Sequence, residues 1–211
     1  MKKIVFQINI PNFSQKNPEF LPYSYNQDMY EISNRNAMRY ALKCGAAYYL
    51  LADKNDFVPA IGKHLDYQKL KFYDFSDYDA VLYLDSDYII KDYAPDLFEI
   101  CGDNFSTCLD QGSSVIDRAN ELQMTHDRYF NAGMMYIPKN VIECTKQTAL
   151  DYLQNEYVLQ GQGLLNKLFY DCGIIPNVLN YMDWNPVKRT FGTYADHYSG
   201  NKKDRWGTVS Y

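Results

Sequence analysis

The stretch that most constrains this chain is Ala80-Val81-Leu82-Tyr83-Leu84-Asp85-Ser86-Asp87-Tyr88-Ile89-Ile90-Lys91. An apolar run stops at two carboxylates, and a second apolar pair, Ile89 and Ile90, follows at once. A short apolar run with aromatic and branched residues reads as a strand, over residues 80–84, buried on both faces. At the end of such a strand Asp85 and Asp87 emerge where open α/β sheets hold their ligands. Two carboxylates one residue apart, with no basic residue until Lys91, are costly to keep ionised together, and a hard divalent cation removes that cost. The stretch therefore predicts a metal site at a strand end. Asp77-Tyr78-Asp79 has the same spacing but lies in a polar turn before the strand, and reads as a solvated loop.

The rest of the chain supplies the sheet such a strand needs. Ile4–Ile10 reads as a first buried strand, closed by Pro11 and a polar loop. Residues 27–43, with Met29, Ile32, Met38, Ala41 and Leu42 amid polar positions, predict an amphipathic helix ending at Gly45. Ala46–Leu51 is a second strand, Asp66–Tyr73 a helix, and Ala94–Ile100 a short helix with Pro95 in its first turn. Phe105–Leu109 and Tyr129–Ile137 read as strands, the latter carrying a Gly that marks a bulge or a close backbone approach. Residues 110–128 read as a loop over a site, 139–155 and 161–170 as helices, and 173–211 as irregular and aromatic. Strands alternating with helices predict an α/β fold, a mostly parallel sheet with helices on both faces.

A chain of 211 residues suits one domain, 1–211, either whole or the N-terminal part of a longer polypeptide. A net charge of −5 argues against a nucleic-acid-binding surface. Five scattered cysteines without C-x-x-C spacing fit reduced thiols rather than a disulfide framework or zinc site. The basic start is followed by an apolar run that Gln7 and Asn9 break, with no small-residue cleavage site, and no stretch is long and apolar enough to span a bilayer. A soluble cytoplasmic protein is expected. The 21 tyrosines suit ligand-lining surfaces as well as cores.

Later segments add donors for a ligand. Tyr129-Phe130-Asn131-Ala132-Gly133 sets an amide beside a glycine, suited to a polyhydroxy ligand or equally to a simple bulge. Gln160-Gly161-Gln162-Gly163-Leu164-Leu165-Asn166 presents an amide at a helix start, next to two glycines that allow close contact, where capping is the alternative role. In His197-Tyr198-Ser199-Gly200-Asn201-Lys202-Lys203, the His is a candidate third metal ligand, and Gly200 and Lys203 are candidates for phosphate binding. A lone His and a Lys pair are also ordinary surface residues. Lys69 is either a donor-site residue or a solvated lysine, and His64 and His126 have no assigned role.

In order, Tyr67-Gln68-Lys69-Leu70, Leu82-Tyr83-Leu84-Asp85-Ser86-Asp87, Phe130-Asn131-Ala132-Gly133, Gly161-Gln162-Gly163-Leu164-Leu165-Asn166 and His197 to Lys203 resemble the motifs of the GT-A glycosyltransferases of family 8. That group includes glycogenin, galactinol synthases and lipopolysaccharide galactosyltransferases, and the chain also resembles virus-encoded, capsid-glycosylating enzymes. Three positions depart from the pattern. Lys69 stands where the family usually has Arg, Gly161 where it has an acid, and Lys203-Asp204-Arg205-Trp206 where it ends in K-P-W.

The resemblance implies a GT-A fold, a UDP-sugar donor, Mn²⁺ (with Mg²⁺ as a substitute) and a glycan or glycoprotein acceptor. It implies that Asp85, Asp87 and His197 hold the metal, with Ser86 and Gly133 lining the donor. It further implies that Lys203 and the Gly200 amide stabilise the departing diphosphate, that Asn131, Lys69 and Gln162 orient the sugar, and that Asn9 and Ile10 hold the uridine. Retention of anomeric configuration is implied, with Gln162 near the anomeric carbon and Asp87, Gln162 and Lys203 as the catalytic residues. Inversion would need a carboxylate base, for which Asp110 and Asp183 are candidates, and the sequence leaves the stereochemistry open. Three other readings stand beside this one. They are a weakened UDP-sugar-binding module, a D-x-D phosphatase, for which no later acid pair is found around 160–185, and a purely structural capsid-associated protein.

Overall fold

Period-two burial organises the sheet. Along β1 (Lys3–Ile8) the residues Ile4, Phe6 and Ile8 enter one core, and Val5 enters the other. Along β3 (Ala80–Asp85) Val81 and Tyr83 join the first core, and Ala80, Leu82 and Leu84 the second. A strand that is apolar on both faces needs cover on both, which is why this run sits at the sheet centre. The computed structural model describes residues 1–9, 27–56, 65–112, 114–154, 161–185 and 192–198.

The sheet has six strands in the order β2-β1-β3-β6-β5-β7, where β2 is Ala47–Leu51, β5 Ser106–Leu109, β6 Phe130–Pro138 and β7 Asn177–Val178. Strands β2, β1 and β3 run parallel, β6 runs antiparallel to both β3 and β5, and β7 is parallel to β5. The α/β sheet is mostly parallel, as expected, and β6 makes it mixed. The first core is covered by α4 (Lys139–Gln154), α5 (Gly161–Asp171) and the segment Leu65–Phe75. The second is covered by α1 (Gln27–Lys43) and α2 (Leu97–Cys101).

Several local expectations are corrected. The Leu65–Phe75 segment is helical but wound as 3₁₀. Helix α1 has the predicted limits and ends at Gly45 with φ +63°, yet Met38 and Leu42 are exposed, at 44% and 74%. Its buried face is Ser33, Ala37, Tyr40 and Ala41: the three small residues let the helix lie close to β1 and β4 (Tyr88–Ile90), and the Tyr40 hydroxyl donates to the Pro95 carbonyl at 2.7 Å. Pro95 precedes α2 rather than lying in its first turn, because Asp96 takes the cap, accepting from Phe98 N at 2.8 Å. Residues 110–128 are not a plain loop. They hold α3 (Val115–Glu121) and a 3₁₀ turn, with Val115, Ala119, Leu122, Met124 and Tyr129 as a small core of their own. The C-terminal third contributes β7, α6 (Tyr181–Trp184) and β8 (Ala195–His197). Asp77 and Asp79 are exposed in a turn, as read.

Two features of this fold shape the site. First, β4 and β8 form a separate antiparallel pair, with Tyr88 opposite His197, Ile89 opposite Asp196 and Ile90 opposite Ala195. Second, β6 changes phase. Phe130 and Ala132 face the first core, but so do Met135 and Ile137, so the alternation slips between Ala132 and Met135. The ladder to β5 shows the same break, since Thr107 pairs with Met135 while Leu109 pairs with Phe130. A bulge with Asn131 and Gly133 at its apex is the result, and the Thr107 hydroxyl ties it down, 2.8 Å from the Met134 carbonyl oxygen and 3.0 Å from that of Asn131.

Candidate functional site

Asp85 is the last residue of β3, and Asp87 lies with Ser86 in the two-residue turn that follows. The chain then re-enters pairing as β4, and Tyr198 N donates to the Asp87 carbonyl at 2.9 Å. His197 is thereby delivered to the acidic pair by a β-ladder. Its Nε2 lies 3.2 Å from Asp87 Oδ1, and its ring stacks on Tyr88 at 4.4 Å and 19°. Its Nδ1 is 2.6 Å from Asn185 Oδ1.

One ligand atom from each of Asp85, Asp87 and His197 lies within 4.8 Å of the others. A single ion with donors at roughly 2.0–2.6 Å spans about 4–5 Å between opposite ligands, so the three fit around one cation. Among the described residues this is the one such group. Carboxylate oxygens with a single imidazole suit a borderline-hard divalent ion better than Ca²⁺.

Asp85 is oriented through Oδ1. Oδ1 receives the Tyr83 hydroxyl at 2.5 Å and the Lys69 ammonium at 2.9 Å. Lys69 is buried, donates also to the Ala132 carbonyl at 3.1 Å, and sits 5.0 Å from the Tyr83 ring centre. In sequence no basic residue follows the pair until Lys91, but the fold brings one in from before it. Lys69, brought in by the 3₁₀ segment, already balances one carboxylate, and the solvated alternative for it is excluded. Asp85 Oδ2 faces Gly133, where an added Cβ would stand 3.0 Å from Oδ2, 3.0 Å from Tyr88 and 2.9 Å from Asn131 Oδ1. Gly133 is thus required by close approach to the site.

Asn131 Oδ1 accepts from Gly133 N at 2.9 Å, closing the bulge apex. Gln162, in the first turn of α5, accepts from Ala132 N through Oε1 at 3.1 Å and donates from Nε2 to Asp110 Oδ2 at 2.8 Å. Asp110, at the end of β5, also receives Gly112 N at 3.1 Å. Asp183 lies on α6. Asn166 is a fastener: its amide bonds both Phe130 N, at 2.7 Å, and Phe130 O, at 2.9 Å. Gly163 makes no close approach, since a Cβ there would meet only Leu122 at 3.8 Å. Asn9 is buried at the end of β1, its N–H bonded to the Leu51 carbonyl at 2.9 Å. Ile10, His64, Gly200 and Lys203 lie outside the described residues, and His126 is exposed in a 3₁₀ turn.

Sequence reasoning missed the supports. Gln7 is fully buried, donates to the Asp85 carbonyl at 3.3 Å and to Ser33 Oγ at 3.2 Å, and accepts from the Tyr48 hydroxyl at 2.9 Å. Ser33 Oγ donates to the Tyr88 carbonyl at 2.8 Å. The Asn36 amide bonds both Ile90 O, at 2.8 Å, and Ile90 N, at 2.7 Å, standing in for a neighbouring strand. The available signal was a Gln inside a buried strand, and a Ser and an Asn on the inward side of a helix.

A family model described as Glycosyl transferase family 8 matches residues 2–209. No curated protein sequence matches the chain. Among solved structures, the chain is similar to a glycosyltransferase described as involved in the glycosylation of the major capsid of PBCV-1. The TM-score is 0.60 at 11% identity, covering 99% of this chain and 100% of that one. It is similar to the glycosyltransferase GlyE of Streptococcus pneumoniae TIGR4, with TM-score 0.56 at 19% identity over 95% of this chain and 55% of that one. It is also similar to the bifunctional glycosyltransferase WbbM, with TM-score 0.53 at 14% identity over 95% of this chain and 46% of that one. At such identities these likenesses speak to the fold, which is GT-A. No helix among the described residues is long and apolar enough to cross a membrane.

Proposed function

Because the chain belongs to glycosyl transferase family 8, we propose that it transfers a hexose-type sugar from a UDP-sugar to a hydroxyl on a glycan or glycoprotein. Asp85, Asp87 and His197 would hold a divalent cation, Mn²⁺ or in its place Mg²⁺. The observation that carries this reading is the convergence of those three side chains from β3, the turn after it and β8. When bound, the cation supplies Lewis-acid stabilisation of the negative charge that grows on the leaving diphosphate.

The chain's own residues divide the remaining work. Tyr83 and Lys69 hold Asp85 Oδ1, so that Oδ2 is the oxygen turned to the Gly133 side. Gly133 has no side chain to push Asp85, Asn131 and Tyr88 apart, so the acidic pair can keep its place. The amide of Asn131 and the Lys69 ammonium would orient the sugar, with Ser86 beside the diphosphate and Asn9 and Ile10 near the uridine. Gly200 and Lys203 would complete the diphosphate clamp through a backbone amide and an ammonium.

Gln162 bears on the stereochemistry. Both ends of its amide are already committed, to Ala132 N and to Asp110, which supports an orienting role over that of a nucleophile. We favour retention by front-face attack: the acceptor oxygen bonds to the anomeric carbon on the face from which the diphosphate departs, and the acceptor proton passes to that diphosphate. The PBCV-1 neighbour, involved in glycosylating a capsid protein, makes a protein-linked acceptor the first to assay. A panel of UDP-sugars assayed for Mn²⁺-dependent UDP release tests the proposal, and no release from any donor, with or without metal, would sink it. One observation favours a second reading, a weakened binding module: Gly161 stands where the family carries an acid. Metal-dependent UDP binding without turnover of any UDP-sugar would select that reading.

A further inference from the structure

We infer that Asn185 is a positioning residue that fixes which ring nitrogen of His197 carries the proton, and so keeps the metal-facing nitrogen free to bind. The inference rests on the metal reading proposed above. Asn185 is fully buried, with Oδ1 2.6 Å from His197 Nδ1. A carbonyl oxygen can only accept, so the imidazole donates from Nδ1, and the neutral ring then carries its lone pair on Nε2. Nε2 is the atom that lies 3.2 Å from Asp87 Oδ1. Two acceptors face each other there, an arrangement that a cation held by both relieves. The opposite tautomer would donate from Nε2 to Asp87, turn a lone pair onto Asn185 Oδ1, and consume the electron pair a metal needs.

The local fold holds Asn185 at several points. Asn180 caps the four-residue α6 by accepting from Met182 N at 3.0 Å. Asn185 N donates to the Tyr181 carbonyl at 2.9 Å, closing the turn, and the preceding Trp184 is buried in the second core. Tyr194 N donates to the Asp183 carbonyl at 2.8 Å, which ties α6 to the segment that carries His197. The helix therefore acts as a bracket for one side chain. The plane of the His197 ring is set separately by its stacking on Tyr88, so loss of Asn185 is expected to release the tautomer more than the ring plane.

Two measurements test this on the full chain. Long-range ¹H–¹⁵N spectra of the histidines at mildly alkaline pH, without metal, should show His197 as the Nδ1–H tautomer in the wild type; an Nε2–H tautomer overturns the inference. Titration with Mn²⁺ alone, read by the signal of free Mn²⁺, should show Asn185→Ala binding about 10- to 100-fold more weakly than wild type, and Asn185→Asp within a few-fold, because a carboxylate also accepts from Nδ1–H. Equal affinity in wild type and Asn185→Ala overturns this inference and leaves the metal reading standing. A wild-type protein that binds no divalent cation overturns the metal reading and this inference with it. Should Asn185→Ala fail to fold, the wild-type tautomer and the Asn185→Asp titration still decide the matter.

Discussion

His197 stands directly opposite Tyr88 in the β4–β8 ladder, so backbone pairing sets its imidazole beside Asp87. A ladder has a period of two, and a slip of one residue would turn His197 to the opposite face. Pinning β4 is therefore a precondition for the metal site. The pins come from β1 and α1: Gln7 on the Asp85 carbonyl, Ser33 on that of Tyr88, and Asn36 on both polar groups of Ile90.

The three-ligand site predicts a stability signature. At a ligand concentration about 100 times Kd, Mn²⁺ with UDP stabilises the folded state by about 2.7 kcal/mol, which for a chain of this size raises Tm by roughly 5–10 °C. Asp87→Ala and His197→Ala should each abolish most of that shift, read against the variant's own metal-free Tm, which His197→Ala lowers because it removes a buried ring and the partner of the buried Asn185 amide. Differential scanning fluorimetry reads it directly. A full shift in Asp87→Ala would rule that residue out as a ligand.

Gly133→Ala should damage the site more than its size suggests. The new methyl carbon would stand about 3 Å from Asp85 Oδ2, Asn131 Oδ1 and the Tyr88 ring. Two of these belong to residues fixed by other bonds, so overpacking costs about 1–3 kcal/mol, and Asp85 must shift. Urea unfolding should show the stability loss, and Mn²⁺ titration a weakened site. A variant that matches wild type in both would show that the bulge can open freely.

Lys69→Met tests the ion pair that the sequence hid. Removal of a buried ammonium leaves the Asp85 carboxylate without its partner, a change that costs several kcal/mol in a dry interior. Asp85 is 30% exposed, and solvent screening brings the expected loss to about 1–3 kcal/mol. Lys69→Arg, the residue more usual in the family, should keep most of the stability. Chemical denaturation of the two variants decides it, with equal stability of Lys69→Met and wild type as the adverse result.

The local signals and the long-range ones were not equally legible. The acidic pair, its buried strand, the bulge at Gly133 and the helix starting at Gly161 are readable because each depends on neighbours in sequence. From its neighbours alone Lys69 is either a donor-site or a solvated lysine, because nothing within a few residues of it shows that the 3₁₀ segment turns it onto Asp85. Asn185 had no reading beside His197 because their contact is made by a turn and a ladder, neither of which has a strong pattern in a segment this polar and aromatic. The inward face of α1 was misread because its contacts are made by Ser33, Ala37 and Tyr40 rather than by Met38 and Leu42. Ser33 and Ala37 are small enough for a close helix–sheet approach, and Tyr40 is held inward by its hydroxyl, which donates to the Pro95 carbonyl and accepts from Leu97 N.

Alkaline pH should destabilise the fold through its buried thiols and phenols. Burial pushes the Cys44 thiol from its ordinary 9.0 up to about 12, helped by nearby Asp96, and burial raises Cys108 to about 12 and Cys101 to about 11. Burial likewise drives Tyr40, Tyr48, Tyr73 and Tyr136 well above the ordinary tyrosine value. Each of these groups stays protonated in the folded chain at a pH where the unfolded chain has released the proton. Above about pH 9 the unfolded state therefore binds fewer protons than the native state, and unfolding free energy falls as pH rises. Below that value both states are protonated and these groups contribute no slope. Urea midpoints measured from neutral pH upward should be flat with respect to these groups and then decline beyond about pH 9. In the same range a thiol reagent should label exposed Cys144 and half-buried Cys172 in the native protein, and reach Cys44, Cys101 and Cys108 only on unfolding. Native labelling of all five at a common rate would show that the second core opens to solvent without global unfolding.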